Sequence, residues 1–302
     1  MKKNKLTFID LFAGIGGFHL ALGKAGMECV AACEIDKKAR NTYEANFRKI
    51  SPGIWDKNQF WFDIKDITMT KSAVLPKYDI LTGGFPCQPF SQAGKMTGIN
   101  HHDGTLFDEI RKILEDTGPN AYILENVPNL MNISNKQVFK QIAQKIHLLK
   151  YSFWFEKLSA LDFGLPTNRT RLYMVGFKND PNNKITFDFS QLKKHKTPKL
   201  SEFFGYKWAP DYVKTFRTGG FDSPVGDRHN WTHYEIEKKM REITKDEAKK
   251  IMGFPDDFIF PKEKGISDRI ALKQIGNSVA VNVVYEIGKE VKKTLNKYYT
   301  NG

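Results

Sequence analysis

The sequence predicts an α/β fold in which an open sheet is covered by helices. Short apolar runs alternate with segments of helical spacing through the first half of the chain, and this alternation is typical of βα units. The apolar runs end in turns that contain glycine or proline. Hydrophobic residues make up 40% of the 302 residues and aromatic residues 13%, so the chain can bury a real core and is not intrinsically disordered.

Each element follows from its local pattern. Apolar or alternating runs predict strands at residues 6–12, 27–33, 78–81, 121–124, 151–158 and 172–177. Helical spacing predicts helices at residues 18–25, 37–47, 106–114, 138–149, 244–252 and 271–295. Residues 179–234 lack regular periodicity and are rich in proline, glycine and aromatic side chains. We therefore expect a second, smaller and irregular domain in that part of the chain.

The charge balance suggests an anionic partner. Forty-seven Lys and Arg face 34 Asp and Glu, which gives a net charge of +13. A surplus of this size most often indicates that the protein binds nucleic acid, although a solvated basic surface would carry the same charge. Seven lysines lie between residues 184 and 214, and lysines with aromatic rings suit a nucleic-acid strand. The aromatic rings of the small domain can also form its core, which we favour for most of them.

The sequence predicts neither a disulfide framework nor a metal site. Its three cysteines are Cys29, Cys33 and Cys87, too few for a disulfide framework and without zinc-ligand spacing. His229 and His233 lack an acidic or Cys partner at ligand spacing. No apolar run approaches about 20 residues, and the N-terminal apolar run is too short for a signal peptide core. We expect a cytoplasmic protein that makes no contact with membranes.

A glycine turn follows the first predicted strand and opens the first predicted helix. Gly14, Gly16 and Gly17 allow a tight turn and a close approach of the backbone to a ligand. Glu34 ends the next strand, 20 residues after Gly14, where an acidic side chain binds ribose hydroxyls in nucleoside-binding folds. The third glycine of the dinucleotide pattern is misplaced, which favours a nucleoside cofactor other than NAD.

Three further motifs carry reactive or charged side chains near strand ends. Cys87 lies in a proline-rich loop after the strand at 78–81, where ligands bind in open α/β sheets. Glu125 ends the strand at 121–124, so its carboxylate can work beside Cys87. Arg169 and Arg171 precede the last strand of the first half, and their alternate positions predict guanidinium groups on the same side.

These motifs resemble those of the DNA (cytosine-5)-methyltransferase family, bacterial or phage type, over almost the whole chain. The resemblance rests on eight ordered motifs: residues 8–18, 34–36, 84–91 (Gly-Phe-Pro-Cys-Gln-Pro-Phe-Ser), 104–107, 125–127 (Glu-Asn-Val), Arg169-x-Arg171, 251–258 and 274–279. It implies a Rossmann-like sheet that uses S-adenosylmethionine, with a smaller target-recognition domain. The implied boundaries are 1–178, completed by 270–302, for the catalytic and cofactor-binding domain, and 179–269 for the recognition domain.

The resemblance also implies a mechanism. Cys87 is the implied nucleophile, and its thiolate adds to C6 of a cytosine that has been flipped out of duplex DNA. Glu125 is implied to hold the N3/N4 edge of the base. Arg171 is implied to reach O2 of the cytosine, and Arg169 to support the loop or a phosphate. Transfer of the methyl group to C5 would leave S-adenosyl-L-homocysteine as the product.

Carried over position by position, the resemblance implies a cofactor pocket and a set of DNA contacts. The pocket would consist of Phe12, Gly14, Ile15, Gly17, Glu34, Ile35, Asp63, Ile64, Pro86, Leu106, Asn277 and Val279. Asp66-Ile67 is the alternative to Asp63-Ile64 for binding adenine. The DNA contacts would include Ser91, Thr215, Arg217, Gly219, Gly220 and Arg228. The lysines of residues 184–214 are expected to lie beside the same DNA cleft.

The partners that follow are double-stranded DNA and a cognate restriction endonuclease in the same restriction-modification system, and we expect a monomer. Two alternatives stay open. One is a tRNA cytosine-5 methyltransferase of the same superfamily, which a labelled-methyl assay on DNA and tRNA would distinguish. The other is a non-catalytic nucleic-acid-binding module, which the charge fits and which the intact Cys87, Glu125 and glycine turn argue against.

Overall fold

A seven-stranded sheet forms the centre of the molecule. The computed structural model describes residues 5–69, 74–86, 106–132, 135–179, 185–217, 223–227 and 229–299. The strands of the sheet lie in the order β3-β2-β1-β4-β5-β8-β6. They are β1 (Thr7–Leu11), β2 (Glu28–Cys33), β3 (Phe60–Trp61), β4 (Ile80–Gly84), β5 (Ala121–Asn126), β6 (Trp154–Ser159) and β8 (Thr170–Phe177).

The order of the strands creates a crevice at one edge of the sheet. Strands β1 to β5 pair in parallel, while β8 is antiparallel to both β5 and β6. From β1 the chain runs outward through β2 and β3 and then returns to β4 on the other side of β1. Ligands bind outside the carboxyl ends of the strands at such a reversal. The predicted α/β fold is therefore confirmed, and its binding edge lies at the ends of β1 and β4.

Helices cover both faces of the sheet. They are α1 (Gly17–Lys24), α2 (Lys37–Phe47), α3 (Gly53–Asp56), α4 (Ile64–Met69), α5 (Leu106–Thr117), α6 (Lys136–Leu148), α7 (Leu200–Phe204), α8 (Lys245–Ile251), α9 (Asp268–Asn277) and α10 (Val281–Tyr299). Side chains alternate across β1, so Phe8 joins one hydrophobic cluster and Ile9 the other. No helix among the described residues is both long enough and apolar enough to cross a membrane.

Each predicted strand and helix is present, but the prediction lacks the short helices α3, α4 and α7 and several strands of two to four residues, and one predicted helix is divided. The two-residue strand β3 is absent from the prediction because Phe60 and Trp61 are too few to show a period. The helix predicted at 271–295 is two helices, α9 and α10, because Ser278 has an extended backbone with ψ 164°. The apolar spacing continues through this break, so periodicity alone does not reveal it.

The irregular segment packs on the same core as one face of the sheet. Two short strand pairs join it to the residues on either side: β9 (Val213–Lys214) pairs with β7 (Thr167–Asn168), and β10 (His233–Ile236), at its end, pairs with β11 (Lys239–Glu242). Trp208, Phe216 and Trp231 are buried and belong to the cluster that also contains Phe8. The core interpretation of the aromatic rings is therefore confirmed for these three.

Candidate active site

The glycine turn after β1 adopts a backbone that a side chain would obstruct. Gly14 and Gly16 have φ of 55° and 88°, in the left-handed region that glycine adopts without strain. A Cβ at Gly16 would lie 2.2 Å from Cε2 of Phe47, whereas one at Gly14 would meet only the carbonyl oxygen of Phe12, 4.0 Å away. Gly16 therefore permits close packing within the protein, and Gly14 leaves space for a ligand.

Glu34 joins the end of β2 to this turn. Its Oε2 accepts a hydrogen bond from the Gly14 backbone N at 2.7 Å, and its Oε1 accepts one from the Asp36 backbone N at 2.8 Å. Burial raises the pKa of this carboxyl, and the two backbone hydrogen bonds oppose that rise. Each carboxylate oxygen can accept a further hydrogen bond, so Glu34 can still hold a hydroxyl group.

A largely buried ion pair lies at the carboxyl end of β5. Oε1 of Glu125 is 3.1 Å from Nε of Arg171 on the neighbouring strand β8. A Cβ at Gly84 would lie 3.2 Å from Oε2 of Glu125, so the glycine at the end of β4 admits the carboxyl. Burial raises the pKa of Glu125, and the charges of Arg171 and Arg169 oppose that rise. The site therefore favours a carboxyl group that keeps its proton to higher pH.

Asn126, next to Glu125, fixes the start of the proline-rich loop. Its Nδ2 donates to the Phe85 carbonyl at 2.9 Å, and its Oδ1 accepts from the Val127 backbone N at 2.8 Å. Phe85 directly precedes Pro86 and Cys87 in the sequence. The amide side chain therefore holds the backbone at Phe85, two residues before Cys87 in the sequence. The motif Glu-Asn-Val contained this residue, but the sequence offered no role for it.

Arg169 is buried beneath the ion pair. It is 3% exposed, and its guanidinium donates to the carbonyls of Phe216 at 3.1 Å and Ser278 at 2.6 Å. Burial, and then the neighbouring Arg171, lower its pKa to about 9. Of the two expected roles, support of the loop is the one that this arrangement fits. Its Nη1 and Nη2 already donate to backbone carbonyls and only 3% of the residue is exposed, which disfavours binding of a DNA phosphate.

These groups surround one cavity of about 850 Å³, a size typical of small-molecule sites. Ten of the predicted residues line it, namely Phe12, Gly14, Ile15, Glu34, Ile35, Pro86, Glu125, Arg169, Arg171 and Asn277. The residues of its lining that the sequence did not predict are Asp36, Lys37, Lys38, Ala39, Gly84, Phe85, Asn126, Val127, Ile270, Lys273, Gln274 and Gly276. Several of these directly neighbour a predicted residue in the sequence, which was the available signal.

Five predicted pocket residues are not part of this lining. Gly17 packs against Ser278 and Val279, since a Cβ there would lie 2.6 Å from Oγ of Ser278 and 2.7 Å from Cγ2 of Val279. Asp63 precedes α4 and accepts a hydrogen bond from the Lys65 backbone N at 3.0 Å, and Ile64 is buried in the core. Leu106, the first residue of α5, packs on the same core as Ile64. Their predicted contacts with a cofactor stay predictions.

Several predicted residues lie outside the described part of the chain: Cys87, Ser91, Gly219, Gly220 and Arg228. Thr215 and Arg217 are described. The Thr215 hydroxyl donates to the carbonyl of Asn168, and Arg217 is exposed. Among the described residues no group of three or more His, Cys, Asp or Glu could hold a metal ion. The thiols of Cys29 and Cys33 are free and buried.

The expected position of the lysines is wrong for Lys193. This side chain lines a second cavity of about 660 Å³, together with Lys24, Tyr285, Glu286 and Lys289. Lys24 ends α1, whereas the glycine turn begins it, and 8 helical residues span about 12 Å. Lys193 therefore lies toward the opposite edge of the sheet from the active-site cavity, because the segment that carries it folds back onto α10.

The cavity fits a nucleoside cofactor. Gly14 offers open space beside the backbone of the turn, Glu34 places a carboxylate at that turn, and Phe12, Ile15, Ile35 and Pro86 supply apolar surface. Apolar walls with a few fixed polar groups are typical of such sites. The parallel strands β1 to β5, the glycine turn and this acidic residue define the class: an α/β enzyme with a nucleoside cofactor at its switch point.

Comparisons with known proteins narrow this class. The profile of C-5 cytosine-specific DNA methylases matches residues 6–223 and 213–293. The chain is 33% identical to the type II methyltransferase M.HhaI of Haemophilus parahaemolyticus, over 96% of this chain and 95% of that protein. It is 34% identical to M.HpaII of Haemophilus parainfluenzae, over 98% and 92%. The chain therefore belongs to the C-5 cytosine-specific DNA methylase family.

Solved structures agree on the fold. A DNA modification methyltransferase encoded within a prophage of E. coli superposes with a TM-score of 0.71 at 21% identity, over 97% of this chain and 100% of that one. The Dnmt2 methyltransferase of S. pombe superposes with a TM-score of 0.68 at 19% identity, over 98% and 100%. The chain is thus an enzyme, a DNA (cytosine-5)-methyltransferase with a Rossmann-like fold, and its homologues are methyltransferases of type II restriction-modification systems.

Proposed function

We propose that this chain transfers a methyl group from S-adenosylmethionine to C5 of a cytosine that is flipped out of a short, specific duplex DNA site. The reaction proceeds through a covalent bond between Cys87 and C6. The observation that carries the proposal is the largely buried Glu125–Arg171 pair at 3.1 Å, in the wall of the same cavity as the glycine turn and Pro86. A cofactor and a base can therefore meet in one enclosed site.

The cofactor lies against the glycine turn in this proposal. Glu34 holds the ribose hydroxyls, and Phe12, Ile35 and Pro86 enclose the adenosine. Gly17, Asp63, Ile64, Leu106 and Val279 contribute from the edges of the pocket. When bound, S-adenosylmethionine supplies an electrophilic methyl group on a sulfonium centre, which C5 of the cytosine accepts.

Cys87 makes C5 nucleophilic. Its thiolate adds to C6 and forms a C–S bond, while N3 of the ring takes a proton, and the resulting enamine carries electron density on C5. After methylation the C5 proton leaves to water, the C–S bond breaks and the thiolate of Cys87 is regenerated. Atoms and charges balance, because the proton taken at N3 is returned when the thiolate leaves.

Glu125 supplies that proton and holds the N3/N4 edge of the base. Its raised pKa keeps the carboxyl protonated to higher pH, as a general acid requires. Arg171 orients the carboxyl through the 3.1 Å contact and can reach O2 of the same ring. A base enters such an enclosed cavity only after it leaves the helical stack, so base flipping belongs to the proposal.

The proposal includes a biological setting. The relatives are named as type II methyltransferases, so a cognate restriction endonuclease is the proposed partner of a monomeric enzyme. Cellular DNA as the substrate places the reaction in the cytoplasm of a bacterial host or a phage-infected cell. Residues 1–178 with 270–302 are the proposed catalytic part, and residues 179–269 the recognition part, with Thr215, Arg217, Gly219, Gly220, Arg228 and Ser91 on the DNA.

The test has two steps. Bisulfite sequencing of DNA from a host that expresses the chain identifies the methylated site. A duplex with 5-fluorocytosine at that position is then incubated with S-adenosylmethionine, and we expect a covalent adduct that survives denaturation, because fluorine blocks loss from C5. Cys87→Ala should abolish both the adduct and methyl transfer.

Cys29→Ala is the matched control and should retain the adduct. It removes a buried thiol near the start of β2, at the end of that strand that lies away from Glu34 and the cavity. Methyl transfer to tRNA with none to DNA would contradict the proposed substrate. Full activity of Cys87→Ala would overturn the covalent mechanism.

A further inference from the structure

Arg169 joins three separate parts of the chain. Its guanidinium donates to the carbonyl of Phe216, in the segment 215–217, and to the carbonyl of Ser278, just after α9. The backbone of Arg169 belongs to the short connection between β7 and β8. Since the residue is 3% exposed, its positive charge is removed from water and directed at these two carbonyls. A buried cation held by fixed acceptors resists displacement, because leaving either acceptor unpaired is costly.

Gly276 contacts the same segment from the other side. A Cβ built on this residue would lie 3.0 Å from the carbonyl oxygen of Arg217 and 3.3 Å from its N and C atoms. These are backbone atoms, so a side chain there cannot be accommodated by a change of rotamer. Gly276 does not have a positive φ, and the requirement for glycine is therefore the close approach of the segment 215–217.

The segment 215–217 has two further attachments. The Thr215 hydroxyl donates to the Asn168 carbonyl, and Phe216 is buried with its ring 5.2 Å from that of Trp231. Arg217 ends the segment and is exposed, and the residues that follow it in the sequence include Gly219 and Gly220. The position of Arg217 relative to the cavity is therefore set by the contact of its backbone with Gly276 and by the contacts of Thr215 and Phe216.

We propose that Arg169 and Gly276 are positioning residues for DNA recognition: together they fix the segment 215–217 relative to the active-site cavity, and so determine how strictly the enzyme discriminates between DNA sites. The inference rests on the proposed function, in which this segment lies on the DNA. Base contacts discriminate only when the side chains are held within about 0.5 Å of their working geometry. The two hydrogen bonds of the Arg169 guanidinium and the close contact of Gly276 with the Arg217 backbone supply that constraint.

The test measures DNA binding, which does not depend on methyl transfer. The preferred site is selected from a random duplex pool, and affinities are measured for this duplex and for one with a single changed base pair. A wrong base pair typically costs about 1–3 kcal/mol, or roughly 5- to 150-fold. We expect Arg169→Lys, whose single ammonium nitrogen cannot occupy the positions of both Nη1 and Nη2, and Gly276→Ala, which displaces the segment, to reduce this ratio by about 5-fold or more.

The cofactor provides the second measurement. In both variants the affinity for S-adenosylmethionine without DNA should fall less than the discrimination ratio, although Arg169 and Gly276 line the cavity. Thr215→Val, whose hydrogen-bond partner Asn168 is not part of that lining, should keep this affinity within about 2-fold of the wild-type value. The double variant should lose little more discrimination than either single one, since both changes release the same segment. Gly23→Ala is the matched control, because a Cβ there has nothing within 4 Å, and it should keep both affinities.

Three outcomes would overturn the inference: an unchanged discrimination ratio, additive effects in the double variant, or a loss of cofactor affinity as large as the loss of discrimination. If Arg169→Lys fails to fold, Thr215→Val, which removes only the hydrogen bond to Asn168, tests the same constraint with a smaller expected loss. A wild-type chain that discriminates between duplexes but forms no 5-fluorocytosine adduct would contradict the proposed chemistry. The proposed positioning role of Arg169 and Gly276 would then be tested by the binding measurements alone.

Discussion

At the scale of single residues, burial determines what the charged groups of the site can do. Glu125 and Arg171 differ from a surface ion pair because both are largely removed from water, so the charge of Arg171 acts strongly on the protonation of Glu125 and each side chain orients the other. Burial raises the pKa of Glu125, while Arg169 lies beneath the pair, and its Nη1 and Nη2 donate to backbone carbonyls. Two arginines two residues apart in sequence thus have different functions.

The protonation of Glu125 leads to a prediction on pH dependence. The reaction needs the Cys87 thiolate and the protonated carboxyl of Glu125, so kcat should rise with pH as the thiol ionises and fall again as the raised pKa of Glu125 is passed. Glu125→Gln should lower kcat by roughly 10²- to 10⁴-fold and remove the fall on the alkaline side. Single-turnover rates across pH measure both effects.

Arg171→Lys is the companion variant for this prediction. It keeps the positive charge near Glu125 and loses the planar donor geometry, so the alkaline fall should persist at a reduced rate. An alkaline fall that is unchanged in Glu125→Gln would show that another group titrates there.

At the scale of elements, the turn between β1 and α1 is where backbone conformation matters most. Gly16 precedes α1 as its N-cap and has φ 88°, and the ring of Phe47 from α2 occupies the space beside it. Gly23 lies in the same helix, two turns later, with open space around it. Gly16 precedes α1 and Gly23 lies near its end, and the two glycines have opposite requirements.

The pair yields a prediction with an internal control. Gly16→Ala should destabilise the protein by about 1–3 kcal/mol, because a Cβ would strain the left-handed backbone and overlap Phe47. Gly23→Ala should stabilise it by about 0.5–1 kcal/mol, since alanine favours the helix. Urea unfolding measures both. Equal effects of the two substitutions would show that the φ and the packing at Gly16 do not matter.

At the scale of the whole molecule, one buried carboxyl links global stability to pH. Asp10 on β1 is fully buried, its Oδ1 accepts from the Thr82 hydroxyl at 3.3 Å, and its Oδ2 has no hydrogen-bond partner among the described residues. Burial raises its pKa from 3.8 to about 8. The folded protein therefore holds a proton that the unfolded chain releases.

The direction in which stability depends on pH follows from the proton that Asp10 holds in the folded protein. Between about pH 4 and pH 8 the folded state binds more protons than the unfolded state, so the free energy of unfolding should fall as the pH rises through this range. Asp10→Asn keeps the shape of the side chain and removes the titration. We expect it to match the wild type near pH 4 and to exceed it by about 5 kcal/mol near pH 8.

Denaturant unfolding between pH 4 and pH 9 checks this expectation. Asp116→Asn, the same chemical change at an exposed position on α5, should not alter the dependence on pH. A constant difference between Asp10→Asn and the wild type at every pH would show that Asp10 is ionised in the folded protein.

The sequence predicted most of the sheet because strand signals are local. Each long strand contains its own apolar run, and Gly14 and Glu34 mark ligand-binding positions through spacing alone. Strand β3 and the break between α9 and α10 were not predictable in this way. The first is too short to show a period, and the second interrupts the backbone without interrupting the apolar pattern.

The sequence by itself determined the fold class, the family, and ten of the residues that line the cavity, because these depend on short-range patterns and on ordered motifs. Only the tertiary structure decided which side chains are buried and what they contact. It placed Arg169 on two distant carbonyls, Gly276 against the backbone of Arg217, and Lys193 beside α10, away from the cavity. Such contacts join residues far apart in the chain, and no local pattern specifies them.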